Sequence, residues 1–467
     1  MAGDPSELSD EVQAMHKSWG LVDALMGGTA AMQAAGEELL PKFPDEDKDS
    51  YKCRLESSTL LPAYSETVKN MNGRVFAEPL TLGEDIPAPI SEYAQNIDNQ
   101  GSNLQVWAQG LFKSGLSHGV AYALVDFPPT VDAQGNQIVR TRADEIATGV
   151  RPYVVQIKSD QVLGWKSEAR NGAEVLTQFR YMESVAEADP ENEFIEKRVC
   201  QIRVLEPGSW RTFRKVKTSD KREAWAEYAN GKTSLPIIPV VAYYTDRTGF
   251  LTGKPPLMEL AYLNKKHWQK QSALDNMEIT ALVPMLALFG LDDDPSFKMT
   301  VGSNVATKLP KEGDMKWVEV QGKPIELGQA SLDKLEDQMR MAGGKLLQPQ
   351  QAGSKTATQA EEEADQDLSP LQTMAEQLED ALDQILQLFA DWMKIPEGGH
   401  IQVNGNFSPD FAPETTLPLL KGMTDSGYLS EQTLFREVQR RGVISGDLDW
   451  EEEQQRIADQ GPALGAL

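Results

Sequence analysis

The stretch from Phe250 to Lys394 decides the fold of this chain. Its four informative runs are LMELAYLNKKHWQKQSALDNMEITALV (257–283), SLDKLEDQMRMAGGKLL (331–347), QPQQAGSKT (348–356) and TQAEEEADQDLSPLQTMAEQLEDALDQILQLFADWMK (358–394). Three of the runs repeat apolar residues with the period of a helix, and Pro255-Pro256 precedes the first, where a missing N–H costs nothing. The predicted elements are helices at 256–283, 331–347 and 358–394, a loop at 348–356, and strands at Met285–Phe289 and Trp317–Val320.

The last of these helices is long and acidic. Thr358 can cap its first turn while Glu361 reaches back to it, and the helix would span about 55 Å with a kink at Pro370. Its apolar residues alternate by four and three, which is typical of a helix that packs through one seam. The seam residues are Leu371, Ala375, Leu378, Leu382, Ile385 and Phe389. From Lys355 to Lys394 there are ten acidic residues against two lysines. We interpret these acidic residues as the solvated face of a helix in an intramolecular bundle. The alternative is that they form a wall that faces DNA or a neighbouring subunit.

The composition limits the compartment and the partners. The 467 residues include 71 acidic and 45 basic side chains, a formal net charge of −26, and 40% of them are hydrophobic. Such an acidic surface does not bind nucleic acid through its overall field, because binding needs lysine and arginine to neutralise phosphates. No apolar run is long enough to cross a membrane, and the first residues predict no signal peptide. Cys53 and Cys200 stand alone, which fits a reducing compartment without a disulfide framework.

The rest of the chain has a helical part and a β-rich part. Residues 1–80 predict helices, and a later helix capped by Ser102 leads into an apolar strand. From 151 to 245, short β-branched and aromatic runs separated by Gly, Asn and Pro predict a meandering sheet. Other predicted elements are a helix at 45–72, a strand at 120–128, a strand at 401–407 and short surface helices at 431–441 and 450–459.

One segment matches a nucleotide-binding motif. Residues 226–233, AEYANGKT, fit the loose form of a phosphate-binding P-loop with Lys232 as its cation. That chemistry needs a helix directly after the loop, so that helix N–H groups meet the phosphate. The following SLPIIPVV cannot form one because it contains Pro236 and Pro239. We therefore interpret Asn230-Gly231 as a hairpin turn, and no catalytic residue is predicted.

No residue pattern predicts a metal site or a cofactor. The four histidines are far apart, and we expect each to be exposed or satisfied by a hydrogen bond. They are His16, His118, His267 and His400. Asp292, Asp293 and Asp294 could chelate a hard cation. Three carboxylates before a proline are more often a solvated turn, so we assign no metal ligand.

Several runs resemble the portal proteins of tailed bacteriophages, in a subgroup long catalogued as a domain of unknown function. They are VKNMNGRVFAEPL (68–80), NIDNQGSNLQVWAQGLFKSGLSHGVAYALVDFPP (96–129), RPYVVQIKSDQVLGWK (151–166), GKPPLMELAYLNKKHWQKQSALDN (253–276) and MTDSGYLSEQTLFREVQRRGVI (423–444). The order of helix, small lid, helix, loop and long helix is also that of the channel-forming core in these proteins. The resemblance covers about residues 20–460.

The resemblance implies an α+β, mainly helical subunit, with a small α/β clip, that assembles into a ring. Its regions would be the wing at 1–255 (helical first, then β-rich at 151–245), the first stem helix at 256–283, the clip at 284–328, the second stem helix at 329–347, the tunnel loop at 348–357, the long wing helix at 358–394 and the helical crown and C-terminal region at 395–467.

The resemblance also implies roles for particular residues. Those of the tunnel loop that would face DNA are Gln348, Gln350, Gln351, Ser354 and Lys355. The first stem helix offers lysines for contacts with the channel or the capsid, namely Lys265, Lys266 and Lys270. The clip residues that would meet the tail adaptor are Asp292, Asp293, Asp294, Lys308 and Lys311.

The implied function is that of a portal protein. It would form a ring, twelve-fold in relatives, at one capsid vertex of the virion, pass DNA during packaging and ejection, and dock terminase and then the tail adaptor. Its partners would be copies of itself, the major capsid protein, terminase, the tail adaptor and double-stranded DNA held without sequence specificity, with no membrane. It would be made in the bacterial cytoplasm and would not be an enzyme. The alternatives are a nucleotide-dependent enzyme using residues 226–233 and a non-ring virion scaffold or adaptor.

Overall fold

Helices and sheets both build this chain, which confirms the predicted α+β class. The computed structural model describes residues 3–128, 150–189, 192–217, 223–282, 285–289, 314–318, 323–347, 369–407, 413–440, 444 and 448–459. The chain forms two compact units. One, the sheet unit, consists of Met1–His16, Val68–Pro256 and Gly344–Leu467; the other, the helical unit, consists of Lys17–Thr67 and Leu257–Gly343.

The elements follow one another in this order within the described residues. The α-helices are α1 (Asp10–Met26), α2 (Gly28–Ala35), α3 (Lys48–Ser57), α4 (Ala63–Val75), α5 (Ala88–Tyr93), α6 (Leu104–His118), α7 (Met258–Leu282), α8 (Lys323–Gly344), α9 (Pro370–Met393), α10 (Pro413–Asp425), α11 (Glu431–Arg440) and α12 (Trp450–Asp459). The strands are β1 (Thr81–Leu82), β2 (Val120–Asp126), β3 (Tyr153–Ile157), β4 (Val162–Arg170), β5 (Ala173–Asp189), β6 (Asn192–Glu206), β7 (Ser209–Lys217), β8 (Glu223–Lys232), β9 (Val240–Tyr244), β10 (Arg247–Gly249), β11 (Thr252–Gly253), β12 (Met285–Phe289), β13 (Asp314–Val318) and β14 (Ile401–Gln402).

Two antiparallel sheets dominate the sheet unit. One has three strands in the order β3–β2–β9, and the other is a five-stranded meander in the order β4–β5–β6–β7–β8. The meander confirms the prediction for residues 162–232, where each strand pairs with its neighbours in sequence, but β3 and β9, at the two ends of the range 151–245, pair with β2 instead. A small pair, β1 with β14, joins Leu82 to Ile401 across the chain.

The core of the sheet unit lies on both faces of β2, whose seven residues are all buried. On one face, Tyr243 of β9 stacks near Phe112 of α6, with ring centroids 6.0 Å apart, and its hydroxyl donates to the Met374 carbonyl of α9 at 3.0 Å. On the other face, the Tyr122 ring lies 5.8 Å from the Phe179 ring of β5. The three-stranded sheet is therefore packed between helices and the meander.

Two helix predictions near the N-terminus need correction. The helix expected at 45–72 is interrupted after α3, because Ser58 has extended backbone angles (φ −68°, ψ 133°). The chain becomes helical again only at Ala63, after Pro62, which disfavours helix at the residue before it. The cap of α6 is Asn103, whose side chain accepts from the Val106 N–H at 2.9 Å, and not Ser102.

The long helix expected to start at Thr358 begins at Pro370. Ser369 before it is extended (φ −69°, ψ 149°), and its hydroxyl accepts from the Gln372 N–H at 3.2 Å. The proline therefore starts a helix rather than kinking one, since its ring disfavours helix at the preceding residue and fits the first helical position. Residues 348–368, with the predicted loop and capping box, lie outside the described residues.

The other helices and strands agree more closely with the sequence. α7 and β12 have the predicted bounds within two residues, whereas α8 begins eight residues before Ser331 and ends at Gly344, followed by a short 3-10 turn at Lys345–Leu347. β13 begins at Asp314, three residues before the strand that was expected to begin at Trp317. The helices α11 and α12 confirm the two predicted near the C-terminus.

The hairpin turn predicted at Asn230-Gly231 is wrong. Both residues lie within β8, where Gly231 pairs with Trp210 and Asn230 with Arg211. A Cβ atom at Gly231 would lie 2.7 Å from the Trp210 ring, so glycine is required here by the close approach of the indole rather than by a turn. The strand continues to Lys232, and residues 233–239 that follow it are not helical.

Candidate functional site

The most distinctive part of the helical unit is the helix pair, formed by α7 and α8. The two helices run antiparallel, and their contacts step in opposite directions along the chain. These contacts are His267 with Glu336 (3.5 Å), Lys270 with Ser331 (2.7 Å) and Glu278 with Gln329 (3.2 Å). With 25 residues, α7 is about 37 Å long.

Between α7 and α8 in sequence, the described residues form a pair of antiparallel strands, called the hairpin below. β12 follows α7, β13 precedes α8, and the two strands pair in register from Met285–Val318 to Phe289–Asp314. The pairing closes an excursion that leaves and returns along adjacent helices. The helix pair and this hairpin are the elements that the sequence resemblance assigns to stem and clip.

Buried polar contacts fix the beginning of α7 within the helical unit. Asn264 accepts from the Tyr64 N–H at 3.0 Å and donates to the Leu61 carbonyl at 2.9 Å. A buried amide with both groups satisfied sets the register between α7 and the start of α4, because any slip would leave it unpaired.

A buried ion pair orients an arginine that contacts the middle of α7. Arg54 of α3 forms a two-point contact with Glu46, at 2.7 and 2.8 Å, and reaches the Ser272 hydroxyl at 3.2 Å. The hydrogen bonds from Arg54 lower the pKa of the Glu46 carboxyl. The two-point contact holds the Arg54 guanidinium in one orientation, from which its hydrogen bond to Ser272 links α3 to α7.

The helix pair also exposes large apolar side chains. Tyr262 and Met277 of α7 are exposed, and so are Leu327 and Met341 of α8. At 100° per residue, Tyr262, Lys266 and Met277 lie on the same face of α7. These side chains are apolar area that a partner could cover, although singly exposed apolar residues do not by themselves identify an interface.

The three lysines predicted on the first stem helix have different surroundings. Lys266 is exposed, Lys265 is half-buried, and the Lys270 ammonium donates to the Ser331 hydroxyl of α8. Of the three, Lys266 has the side chain most available to a ligand or partner, and its role stays a prediction. The other predicted site residues, at 292–294, 308, 311 and 348–355, lie outside the described residues.

His267 contradicts the expectation that every histidine is exposed or satisfied. Its side chain is buried between α7 and α8, and neither ring nitrogen makes a hydrogen bond, although Nε2 lies 3.5 Å from a Glu336 oxygen. Burial lowers the pKa of the imidazole, and the neighbouring carboxylate opposes this only in part. His118 and His400 fit the expectation, with Ser114 carbonyl and Asp85 carboxylate partners.

The apolar seam predicted on α9 is confirmed, but its partner is different. All six seam residues are buried, namely Leu371, Ala375, Leu378, Leu382, Ile385 and Phe389. The helix packs mainly on β9 and β2, so the expected helix bundle is wrong. A helix covering a sheet needs the same single apolar stripe as a helix in a bundle, so periodicity cannot tell the two apart.

The acidic face of α9 is partly structural. Glu379 accepts from the Val403 N–H at 2.6 Å, and Asp383 accepts from the Ile401 N–H at 2.8 Å. Burial raises the pKa of both carboxyl groups, and nearby carboxylates raise it further. These acids satisfy backbone donors of β14 and its continuation, so the face is neither simply solvated nor available as a whole to DNA.

A charged network that the sequence did not reveal joins the two sheets. Arg203 of β6 binds the Asp126 carboxylate at the end of β2 through two contacts, at 2.6 and 3.0 Å. The Tyr153 hydroxyl donates to the same carboxylate at 3.3 Å. The only signal in the sequence is an arginine between Ile202 and Val204 in an alternating strand, and it does not identify the partner.

Other site types have little support among the described residues. No group of three or more His, Cys, Asp or Glu side chains in them could hold a metal ion. Cys53 and Cys200 are free and exposed. Of the helices that the structure describes, none combines the length and apolar character needed to span a membrane.

Comparison with known proteins gives one family match and several structural likenesses. Residues 256–393, from the helix pair through α9, match a family described only as a domain of unknown function, DUF4055. No curated protein matches the chain.

The structural likenesses are to chains of gene transfer agent particles. A chain in the virion of a native gene transfer agent particle is 12% identical, with 87% of this chain and 97% of that chain covered and a TM-score of 0.39. A chain in the neck of the empty particle is 13% identical, with 79% and 87% covered and a TM-score of 0.38. TM-scores below 0.5 carry no argument about a shared fold or function.

Proposed function

We propose that this chain is the subunit of a phage portal ring. The observation that carries the proposal is the excursion of Met258–Gly344, two antiparallel helices closed by a β-hairpin and followed in the chain by the buried helix α9. The same order of stem, clip and wing helix is implied by the resemblance of the sequence to portal proteins. In the ring, the helix pair would line the channel and the hairpin would meet the tail adaptor.

The exposed apolar groups of the helix pair support assembly. A ring needs one surface to bind a different surface of the next copy, with a rotation that closes. Tyr262 and Met277 on α7, with Leu327 and Met341 on α8, supply apolar area that the described residues of the chain leave exposed.

The negative net charge of the chain supports a channel through which DNA passes without being bound tightly. Twelve copies would carry a formal charge of 12 × −26 = −312. Each lysine–phosphate contact adds affinity, so a ring with this acidic excess would let DNA slide instead of holding it. Lys266 is the exposed cation on α7 that would touch DNA or the capsid in this arrangement.

Mass measurement of the purified protein tests the proposal. A ring of twelve 51.6 kDa chains would have a mass of about 0.6 MDa. A homogeneous assembly near this mass is expected by native mass spectrometry or light scattering. A monomer or dimer under all conditions, including the highest protein concentration tested, would contradict the portal proposal and favour a scaffold or adaptor.

The tunnel loop can be tested by blocking it. A cysteine at Gln351, modified by a bulky thiol reagent, should stop DNA passage while leaving the ring intact. Cys53 and Cys200 are exposed and must be replaced first, since they would react as well. Full packaging by rings modified at every Gln351 position would place this loop outside the channel.

We further propose that the chain has no catalytic role and that a separate terminase hydrolyses ATP. Lys232 is the last residue of β8 and pairs with Ser209, without a helix directly after it to bind phosphate. Lys232→Ala should therefore leave assembly and packaging unchanged. If the pure protein binds ATP and Lys232→Ala abolishes that binding, the nucleotide-dependent enzyme would be favoured instead.

A further inference from the structure

The five-stranded meander opens at one end. The ladder between β6 and β7 starts at Glu206–Ser209 and ends at Gln201–Arg214. Beyond that pair, β6 continues alongside β5, and β7 continues alongside β8 as far as Lys217–Glu223. The sheet thus splits into two hairpins, and a cleft of about 1280 Å³ lies where they part.

The walls of this splayed cleft include strand edges. It is lined by Lys197–Cys200 of β6, Phe213–Lys215 of β7 and Glu223–Trp225 of β8. In an antiparallel strand, alternate residues turn their N–H and C=O groups to either side. Half of the backbone groups of 197–200 therefore point away from β5 and into the cleft, where they form an open edge of the kind that accepts an added strand.

The cleft also offers apolar surface. Met182, Phe213 and Trp225 line it and pack against a buried cluster of Leu163, Ile202 and Val204. Their inner sides are thus fixed and their outer sides face the cleft. A strand added here would place every second side chain on this surface, because side chains alternate between the faces of a sheet.

The charges of the cleft favour an acidic occupant. Although the whole chain is strongly acidic, the cleft is lined by four basic residues, Lys197, Arg198, Arg214 and Lys215, against the two acidic residues Asp4 and Glu223. Arg198 on the opposite wall is exposed and has no ion pair among the residues that the structure describes. Lys215 lies 5.6 Å from the Trp225 ring centroid and only 3.5 Å from Glu223, in an exposed pair that contributes little.

The N-terminal segment shows what kind of chain this face accepts. Gly3–Ser6 forms one side of the cleft. Ser9 donates its N–H to the Leu163 carbonyl at 2.9 Å, and Arg180 donates to the Pro5 carbonyl at 2.9 Å. A short acidic segment, with Asp4 and Glu7, therefore already lies against the meander through backbone contacts.

We propose that the splayed cleft binds an acidic peptide segment in extended conformation, which adds as a strand to the open edge of β6. Its backbone would pair with residues 197–200, its apolar side chains would contact Phe213 and Trp225, and its carboxylates would meet Arg198 and Lys215. The site lies in the sheet unit and does not depend on ring formation or on the helix pair.

A labelled peptide tests the proposal on the full-length protein. The probe is a fluorescein-labelled peptide of four Val-Glu repeats, followed by fluorescence anisotropy. We expect saturable binding that weakens about tenfold in Arg198→Glu, where one attractive charge becomes repulsive. Lys166→Glu is the matched control, because Lys166 is an exposed lysine of β4, in the same sheet but outside the cleft, and binding should not change.

Two altered peptides separate the contributions of backbone and charge. A proline at the centre of the Val-Glu peptide should abolish binding, since it removes an N–H and cannot continue a ladder. A Val-Lys peptide should not bind. Equal binding of the Val-Lys peptide, or unchanged binding by Arg198→Glu, would overturn the proposal.

Other occupants would give different results. Displacement of the peptide by oligothymidylate would point to a surface for single-stranded nucleic acid, which also uses aromatic and basic side chains, and would overturn the proposal. A third result would be that the wild-type protein does not bind the peptide, and that Arg198→Glu prevents a self-association that Lys166→Glu retains. In that case a second copy of the chain, and not a peptide, occupies the cleft.

Discussion

Replacing Arg203 with methionine tests the charged network between the two sheets. The Arg203 and Asp126 side chains are 16% and 12% exposed, and two hydrogen bonds join them. Methionine keeps much of the side-chain volume but leaves the carboxylate buried with only the Tyr153 hydroxyl and the Phe127 N–H as donors. Breaking such a pair from one side costs about 3–5 kcal/mol, because a charge stays buried without its partner.

A matched arginine in the same sheet provides the control. Arg170 also pairs with a carboxylate, that of Glu168 at 3.0 Å, but these side chains are 60% and 61% exposed. Exposed pairs contribute about 0–1 kcal/mol, so Arg170→Met should barely change the free energy of unfolding. The assay is urea unfolding followed by tryptophan fluorescence, with all variants at one protein concentration.

A double variant distinguishes a lost ion pair from lost packing. Asp126→Asn combined with Arg203→Met removes both charges, and it should recover a large part of the stability lost in Arg203→Met. If Arg203→Met and Arg170→Met have the same unfolding midpoint, the network contributes nothing and the reasoning from burial is wrong. If the double variant is no more stable than Arg203→Met, the loss is due to packing.

Three further predictions concern single positions. Leu382→Asp places a carboxylate in the fully buried seam of α9 and should give insoluble or unassembled protein, whereas Leu419→Asp, on the exposed side of α10, should express normally. Burial lowers the pKa of His267 below 6.5, so below that pH the unfolded chain binds a proton that the folded chain does not. The contribution of His267 to the free energy of unfolding should therefore be complete above pH 6.5 and should be lost as the pH falls towards the folded pKa. In a curve of melting temperature against pH, His267→Phe should flatten this part. Gly119 ends α6 at φ +86°, and a Cβ there would overlap the Lys254 backbone, so Gly119→Ala should lower the melting temperature by several degrees; an unchanged value would mean that the two segments separate easily.

Periodicity predicted much of the fold in this chain. The 3.6-residue repeat located α7 and the seam of α9, and short alternating runs located the five-stranded meander. These signals survive because each element must bury one stripe or one face, whatever it packs against. The partner of the stripe is not encoded locally, so α9 was expected in a bundle although it covers β2 and β9.

The errors have local physical causes. At Ser369 the restriction that a proline imposes on its predecessor outweighed a helical pattern on both sides. At Gly231 the Trp210 ring on the neighbouring strand, rather than a turn, required the glycine. The Asp126–Arg203 contact joins residues 77 positions apart, and no spacing rule in a single sequence identifies such a pair.

The division of the helical unit into two stretches has a consequence for its synthesis. Between Thr67, where the first stretch ends, and Leu257, where the second begins, the ribosome adds 257 − 67 = 190 residues. At roughly 5–20 residues per second this takes about 10–40 s. During that time Trp19 and Leu25, which are buried in the finished protein, lack the half of their unit that contains α7 and α8. The helices of the earlier stretch thus complete their fold only after the later stretch has been made, and they are a segment of the nascent chain that we expect chaperones to hold.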